Sequence, residues 1–233
     1  MSNILVTGGL GFIGSFLVDA LVDLGHIVDV VDDLSTGDLR WIVHHNNVQY
    51  FIGDVVSWCS QRKSFRQYDF VFHLANNARI AMSFEFPKET LVNNYASTVA
   101  ILEYMRKNCP EAILLFASSS TTEFTDRFNN PYTFSKYMCD EVLELYAKHY
   151  NLKYNVVKFY NVYGSMREAD LGQYTTIIKK FKQKVLANEP LPVYNPERRR
   201  DFTSIDDTIV GLIEIIKNPF IPSMTYHLSL IHI

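Results

Sequence analysis

The chain has 233 residues, 48% hydrophobic and 20% charged, with a formal net charge of -3. That is ordinary globular composition, and the slightly acidic balance gives no reason to expect a nucleic-acid or anionic-membrane surface. No uncharged apolar run reaches transmembrane length, and MSNILVTGG lacks the basic and apolar regions of a signal peptide, so a cytoplasmic location is expected. Cys59, Cys109 and Cys139 are odd in number and form no C-x-x-C pair, which predicts reduced, mostly packed thiols.

Short apolar runs then alternate with helical patterns. Ile4 to Val6, Ile27 to Val31, Val48 to Ile52, Phe70 to Leu74, Ile113 to Phe116 and Tyr154 to Phe159 each fit a buried parallel strand. Between the first two, Phe12, Ile13, Phe16, Leu17, Ala20, Leu21 and Leu24 form a helical stripe that Gly25 closes. Strand, helix, strand at this spacing is a βαβ unit, and its repetition predicts an α/β fold built on a doubly wound parallel sheet. Two later helices look different. Tyr95 to Met105 is apolar nearly all round, and residues 132–150 carry two stripes, Met138, Val142, Leu145 and Cys139, Leu143, Tyr146. A helix that hides two faces needs a partner beyond its own sheet. Another segment of the same chain could supply it; the expectation preferred is a homodimer through helices 91–107 and 132–150. From Ser165 the alternation loosens into a helical stretch (Tyr174 to Leu186), EPLPVYNP, ERRRDF and a helix over Ile205 to Ile216.

TGGLGFIG follows the first strand and opens the first helix. Gly8 permits the tight turn, Gly11 lets the backbone approach a pyrophosphate, and Gly14 allows close helix–strand packing, while the helix N-terminus offers free amides to phosphates. Asp32 ends the second strand, where a carboxylate can accept from both hydroxyls of an adenosine ribose and would repel a 2′-phosphate, so NAD is expected over NADP. The alternative role for Asp32 is that of a turn or cap residue. Asp54 lies just past the third strand, placed either for the adenine edge or as a helix N-cap. The dinucleotide candidates are Gly8, Gly11, Phe12, Ile13, Gly14, Asp32, Asp54, Val55, Leu74, Ala75 and Asn94, together with Tyr132 and Lys136.

FASSS ends the fifth strand and PYTFSK opens the later helix. A Ser120 hydroxyl beyond a strand's carboxyl end lies in the ligand crevice of such sheets. Tyr132 and Lys136 share one helix face. A free tyrosine titrates near ~10, so proton abstraction at neutral pH needs a drop of roughly 3 units, and a nearby lysine and a positive nicotinamide ring would favour phenolate. Ser120, Tyr132 and Lys136 are the catalytic candidates. His44 and His45 have no partners at metal spacing and predict a surface loop; His73 predicts a satisfied core residue, and no metal site is expected.

From Ile4 to about Tyr226 the chain resembles the extended short-chain dehydrogenase/reductase family, in its nucleotide-sugar epimerase and dehydratase branch. The motifs that carry this are TGGLGFIG, VVDDLSTG, GDV, VFHLA, NNYAST, ASSS, PYTFSK, KFYNVYG and RRRDFTSIDD. The resemblance implies a Rossmann domain over 1–164 that holds NAD and the catalytic trio, and the beginning of a smaller, incomplete substrate domain over 165–227. It implies that Asn94 supports the active-site helix, that Asn161 lies near the sugar nucleotide, and that Arg200 clamps its pyrophosphate. Departures are Asn76 for the family's second alanine after HLA, Glu123, Phe124 and Thr125 for VYG, Lys158 for a frequent Arg, and Ser165 for a proline.

The family's 4,6-dehydratases carry an Asp-Glu pair after the catalytic hydroxyl residue. Here Thr121 and Thr122 stand there, so the chain is more similar to the 4-epimerases. The expected partner is a nucleoside-diphosphate sugar, with no nucleic acid and no membrane. The alternatives are a dehydratase or NAD(P)-dependent reductase of the same family, or a non-catalytic dinucleotide sensor. Leu228 to Ile233 reads as the translation of a transposase end sequence used in preparing sequencing libraries, so 228–233 is expected to be a non-native tail on a truncated chain; a genuine apolar last strand is the alternative.

Overall fold

A computed structural model describes residues 1–61, 66–169, 171–172, 175–193, 197 and 199–229. Seven parallel strands form its centre: β1 (Asn3–Thr7), β2 (Ile27–Asp32), β3 (Val48–Ile52), β4 (Phe70–His73), β5 (Ile113–Ser119), β6 (Lys153–Phe159) and, last in the chain, β9 (Thr225–Leu228). Their order is β3-β2-β1-β4-β5-β6-β9, so the direction of winding reverses between β1 and β4. In such sheets ligands bind at that reversal, beyond the strands' carboxyl ends.

Alternate residues of each strand feed two cores. Ile4 and Val6 of β1 face helices α1 (Phe12–Asp23) and α8 (Ile205–Lys217), where Leu17, Leu21, Phe72 and Leu212 are buried. Leu5 points the other way, into a core with Val71, Ile101, Met105, Phe116 and Leu143, covered by α2 (Val55–Gln61), α4 (Pro87–Asn108) and α6 (Pro131–Tyr150). Two-sided burial is why the strands are continuous apolar runs rather than alternating ones. Shorter elements fill the connections: α3 (Ile80–Glu85), α5 (Thr121–Phe124), α7 (Ile177–Leu186), and a second sheet of β7 (Val162–Tyr163) and β8 (Thr203–Ser204).

Helix ends follow local chemistry. Gly25 takes φ +79 just past α1, as a left-handed terminator should. Asn130 caps α6, its Oδ1 accepting from the Thr133 amide at 2.8 Å, with Pro131 in the first turn. Ser204 caps α8 by accepting from Asp207 N at 3.0 Å.

Two boundaries differ from the sequence reading. The fifth strand continues past Phe116, because Ala117, Ser118 and Ser119 pair with Val157, Lys158 and Phe159 although they are not an apolar run. The helix expected from Tyr174 begins at Ile177; Tyr174 lies outside the described residues.

The two helices with more than one apolar face pack on each other. α4 packs on α6, joined by Asn94 Nδ2 donating to Ser135 Oγ (2.9 Å), Thr98 Oγ1 to Cys139 Sγ (3.4 Å) and Tyr146 Oη to Glu103 Oε1 (2.9 Å). Val92 and Leu145 remain half exposed. Beyond Ser165, α8 and β9 join the main layers: α8 packs on α1, and β9 pairs with β6, Leu228 opposite Phe159. Ser229 is buried and donates to Asp201 Oδ2 at 3.2 Å; residues 230–233 of the expected tail lie outside the described residues. Among the described residues no helix is long and apolar enough to cross a membrane.

Candidate active site

A cavity of about 860 Å³ runs across the carboxyl ends of the strands at the winding reversal, within the size range of small-molecule sites. At one end stands the glycine turn. Gly8 has φ +72, and a side chain there would sit 2.8 Å from Ala75 N; at Gly14 it would sit 2.1 Å from Gly8 O. Only glycine lets the turn, the first turn of α1 and the β4 loop approach this closely. Gly11 caps α1 without a side-chain hydrogen bond, so the helix's first amides face the cavity, with Phe12 and Ile13 on its wall. This cradle fits a dinucleotide pyrophosphate.

Asp32 also lines the cavity, but its carboxylate works for the fold as well. Oδ2 accepts from Leu10 N at 2.9 Å and Oδ1 from Leu34 N at 2.8 Å. Burial raises its pKa, and those two bonds hold it down. Each oxygen keeps a further lone pair for a ribose hydroxyl. Asp54 is the N-cap that was one of its two expected roles: Oδ1 accepts from Ser57 N at 2.8 Å, and its bonds with Ser57 lower its pKa. Its edge, with Val55, still borders the cavity, as do Leu74 and Ala75.

At the other end Tyr132, Lys136 and the serines meet. Tyr132 is 6% exposed, and burial raises its phenol pKa; the Ser119 hydroxyl and then the charge of Arg79 pull it down. Ser120 borders the cavity as the N-cap of α5, and the Ser119 hydroxyl, at the end of β5, lowers the phenol pKa. The positive charge of Arg79 favours phenolate, and Lys136 Nζ lies 6.0 Å from the Tyr132 ring centre and donates to Ala117 O (2.5 Å) and Asn76 Oδ1 (2.6 Å). Burial lowers the Lys136 pKa to about 8.

Asn94, expected beside the cofactor, is fully buried and absent from the cavity wall. It acts through others: its Oδ1 accepts from Asn77 N at 2.7 Å, its Nδ2 donates to Ser135 Oγ, and Ser135 donates to Tyr132 O at 2.7 Å. This fixes the start of α6 against the loop after β4. His73 is the core residue expected, with Nδ1 2.7 Å from Thr7 Oγ1 and a pKa pushed down to about 3 chiefly by burial. Asn161 borders the cavity and donates to Asp201 O at 2.8 Å; Arg200 borders it too. Arg198, in the same run, lies outside the described residues.

Sequence reasoning missed three contributors. Asn76 was visible only as a departure from the family pattern, and its amide oxygen holds Lys136. Arg79 sits in a loop without motif character. Asp140, two turns along α6 from Tyr132, accepts from Ser118 Oγ at 3.3 Å, and burial raises its pKa to about 6.

A sequence model described as the NAD dependent epimerase/dehydratase family matches residues 4–223. A Methanocaldococcus jannaschii protein provisionally named a UDP-glucose 4-epimerase is 32% identical over 218 residues, covering 88% of this chain and 70% of the relative. UDP-glucuronic acid decarboxylase 1 of Danio rerio is 28% identical over 236 residues, covering 93% of this chain and 54% of the relative. The chain thus spans 70% and 54% of the length of these two relatives. Among solved structures, Thermus thermophilus UDP-glucose 4-epimerase in complex with NAD superposes with a TM-score of 0.83 at 26% identity, over 97% of this chain and 77% of that one.

Proposed function

We propose, from the premise that this chain belongs to the NAD dependent epimerase/dehydratase family, that it is a nucleotide-sugar 4-epimerase working through a transient 4-keto sugar. NAD is the cofactor; bound in the cavity, it supplies the hydride acceptor and donor for the sugar carbon and a positive ring beside the phenol. Tyr132 removes the proton from the C4 hydroxyl as hydride leaves that carbon, and returns it when hydride comes back to the opposite face. Its phenol is buried, so the surrounding positive charge and the Ser119 hydroxyl decide whether phenolate forms. Ser119 also donates toward the sugar oxygen as charge develops there. Lys136, held by Ala117 O and Asn76 Oδ1, would hold the cofactor's nicotinamide ribose. Residues 165–227 provide the sugar-nucleotide side, with Arg200 and Asn161 toward the substrate pyrophosphate and sugar.

The observation that supports this reading is the opening of Tyr132, Ser119 and Lys136 into the same cavity as the Gly8–Gly14 turn. An elimination is disfavoured because Thr121 and Thr122 are hydroxyls engaged with Ser119, through Oγ1 contacts of 3.1 Å to Ser119 Oγ and 2.9 Å to Ser119 O, and neither is an acid. The test is incubation with UDP-, GDP- and dTDP-sugars followed by product analysis. A C4 epimer without net NADH is expected, and Tyr132→Phe should cut the rate by ~10²–10⁴-fold while still binding NAD. Stoichiometric NADH would mark a dehydrogenase instead.

A further inference from the structure

The loop that follows β7 carries a cation whose side chain reaches two other segments. Arg167 Nη1 lies 2.7 Å from Asp19 Oδ2 on α1. Its guanidinium carbon stands 4.4 Å from the ring centre of Phe16, also on α1, and 5.3 Å from that of Trp41, which ends a short helical turn over Leu39–Trp41. A planar guanidinium pairs with a carboxylate at its edge while its face meets aromatic rings. The backbone is set for this reach by Ser165 Oγ, which accepts from Arg167 N at 3.0 Å. An ion pair open to water would be worth little, but here the two side chains are only 23% and 29% exposed.

Each segment that meets at this guanidinium also lines the cavity. Phe12, one helical turn before Phe16 and in edge contact with its ring (6.4 Å between centres), is on the wall. The stretch from β2 to Trp41 contributes Ser35 and Thr36, and its Asp38 N donates to Leu10 O of the glycine turn at 3.1 Å. The loop itself contributes Ala169. On its other side the loop is fastened through Glu168, which is buried: Oε1 accepts from the Thr176 hydroxyl and the backbone O from Lys179 Nζ, where α7 begins. Thr176 is on the cavity wall as well. Arg167 and Glu168 thus make one strap that ties the start of α7 to α1, and the segments it joins enclose the dinucleotide cradle.

We propose that Arg167 is a positioning residue that latches this strap to α1 and thereby slows the release of NAD from the cavity. A cycle in which hydride leaves a sugar carbon and returns from the same cofactor requires the dinucleotide to outlast the intermediate. The glycine cradle receives the phosphates in either case; the latch acts on the rate of exit. The inference rests on NAD in this cavity, and not on which sugar reaction follows.

The test is a chase. The 233-residue protein is loaded with isotope-labelled NAD, excess unlabelled NAD is added, and retained label is followed in wild type, Arg167→Met, Arg167→Lys, Asp19→Asn and Arg40→Met. Arg167→Met should release label about 10-fold faster, the factor carried by one half-buried cation held by a carboxylate and two rings. Arg167→Lys, which keeps the charge without the planar fork, and Asp19→Asn should fall between that variant and wild type. Arg40→Met is the control, because Arg40 faces the same Trp41 ring at 5.2 Å but pairs with Asp38 on its own segment; its release should match wild type. Thermal unfolding is read in parallel. A lower unfolding temperature in Arg167→Met with unchanged release overturns the proposal and leaves the residue a structural tie, and equal acceleration by Arg40→Met overturns it too. Should Arg167→Met not fold, Arg167→Lys and Asp19→Asn decide by the same criterion. Each of these failures leaves the epimerase reading standing, whereas a wild type that retains no labelled NAD overturns the latch and the cofactor reading together.

Discussion

Gly14→Ala is the substitution for which the geometry gives the sharpest expectation. The new methyl would lie 2.1 Å from Gly8 O, 2.8 Å from Gly9 Cα and 2.9 Å from Gly8 C, all backbone atoms. The turn cannot retreat, because Gly8 N donates to Val31 O at 2.8 Å and Gly8 itself is packed on the Ala75 backbone. Alanine inside a helix is normally better than glycine by about 1 kcal/mol. Overpacking against fixed atoms costs about 1–3 kcal/mol or more, so the clash decides the sign. A net loss of roughly 1–2 kcal/mol lowers the melting temperature by roughly 2–8 °C for a chain of this size. Gly11→Ala is the internal control, since its methyl would be 3.3 Å from Gly8 O, a contact a few tenths of an ångström can relieve. Thermal unfolding and NAD titration of both variants provide the assay. Gly14→Ala should lose more stability and more NAD affinity than Gly11→Ala. Equal or greater stability of Gly14→Ala than wild type would refute the close approach on which the dinucleotide cradle depends.

Three further outcomes are expected. Ser119→Ala should reduce turnover by about 10²-fold with little change in stability, and Ser120→Ala by much less; the reverse order in steady-state kinetics would return the role to Ser120. Wild type should bind NAD far better than NADP, and Asp32→Ala should narrow that gap while costing stability through the lost Leu10 and Leu34 amide bonds; equal dinucleotide affinities in wild type would contradict this. Asp140 has its carboxyl raised by burial from 3.8 to about 6, so the folded chain holds that proton more tightly than the unfolded one, and stability falls as pH rises across that interval. Relative to Asp140→Asn, the urea midpoint of wild type should therefore drop between these pH values, and parallel curves for the two proteins would rule the effect out.

What the sequence disclosed depended on which interaction fixed each element. The buried strands were legible because burial on both faces demands uninterrupted apolar runs, and the dinucleotide turn because its glycines answer to backbone contacts only glycine permits. Ala117 to Ser119 were not legible as strand, since their place comes from ladder partners on β6 rather than from their own hydrophobicity. The pairs β7 and β8 are two residues each, too short for any period to show. Within the site, Tyr132 and Lys136 were found by helix spacing. Which serine meets the phenol depends on where β5 ends and α5 begins, and that lies below the resolution of pattern reading. Asn76 and Arg79 acquire their meaning only from the fold, which brings the loop after β4 against α6.

The central claim, that C4 is oxidised and reduced again by one bound cofactor beside Tyr132, is tested most directly with isotope. A UDP-sugar carrying deuterium at C4 is incubated with the NAD-loaded protein, and the product is examined by NMR. The account predicts an inverted C4 that retains its deuterium, with no net reduced cofactor. Inversion with protium at C4, accumulation of deuterated NADH, or no inversion at all would contradict it.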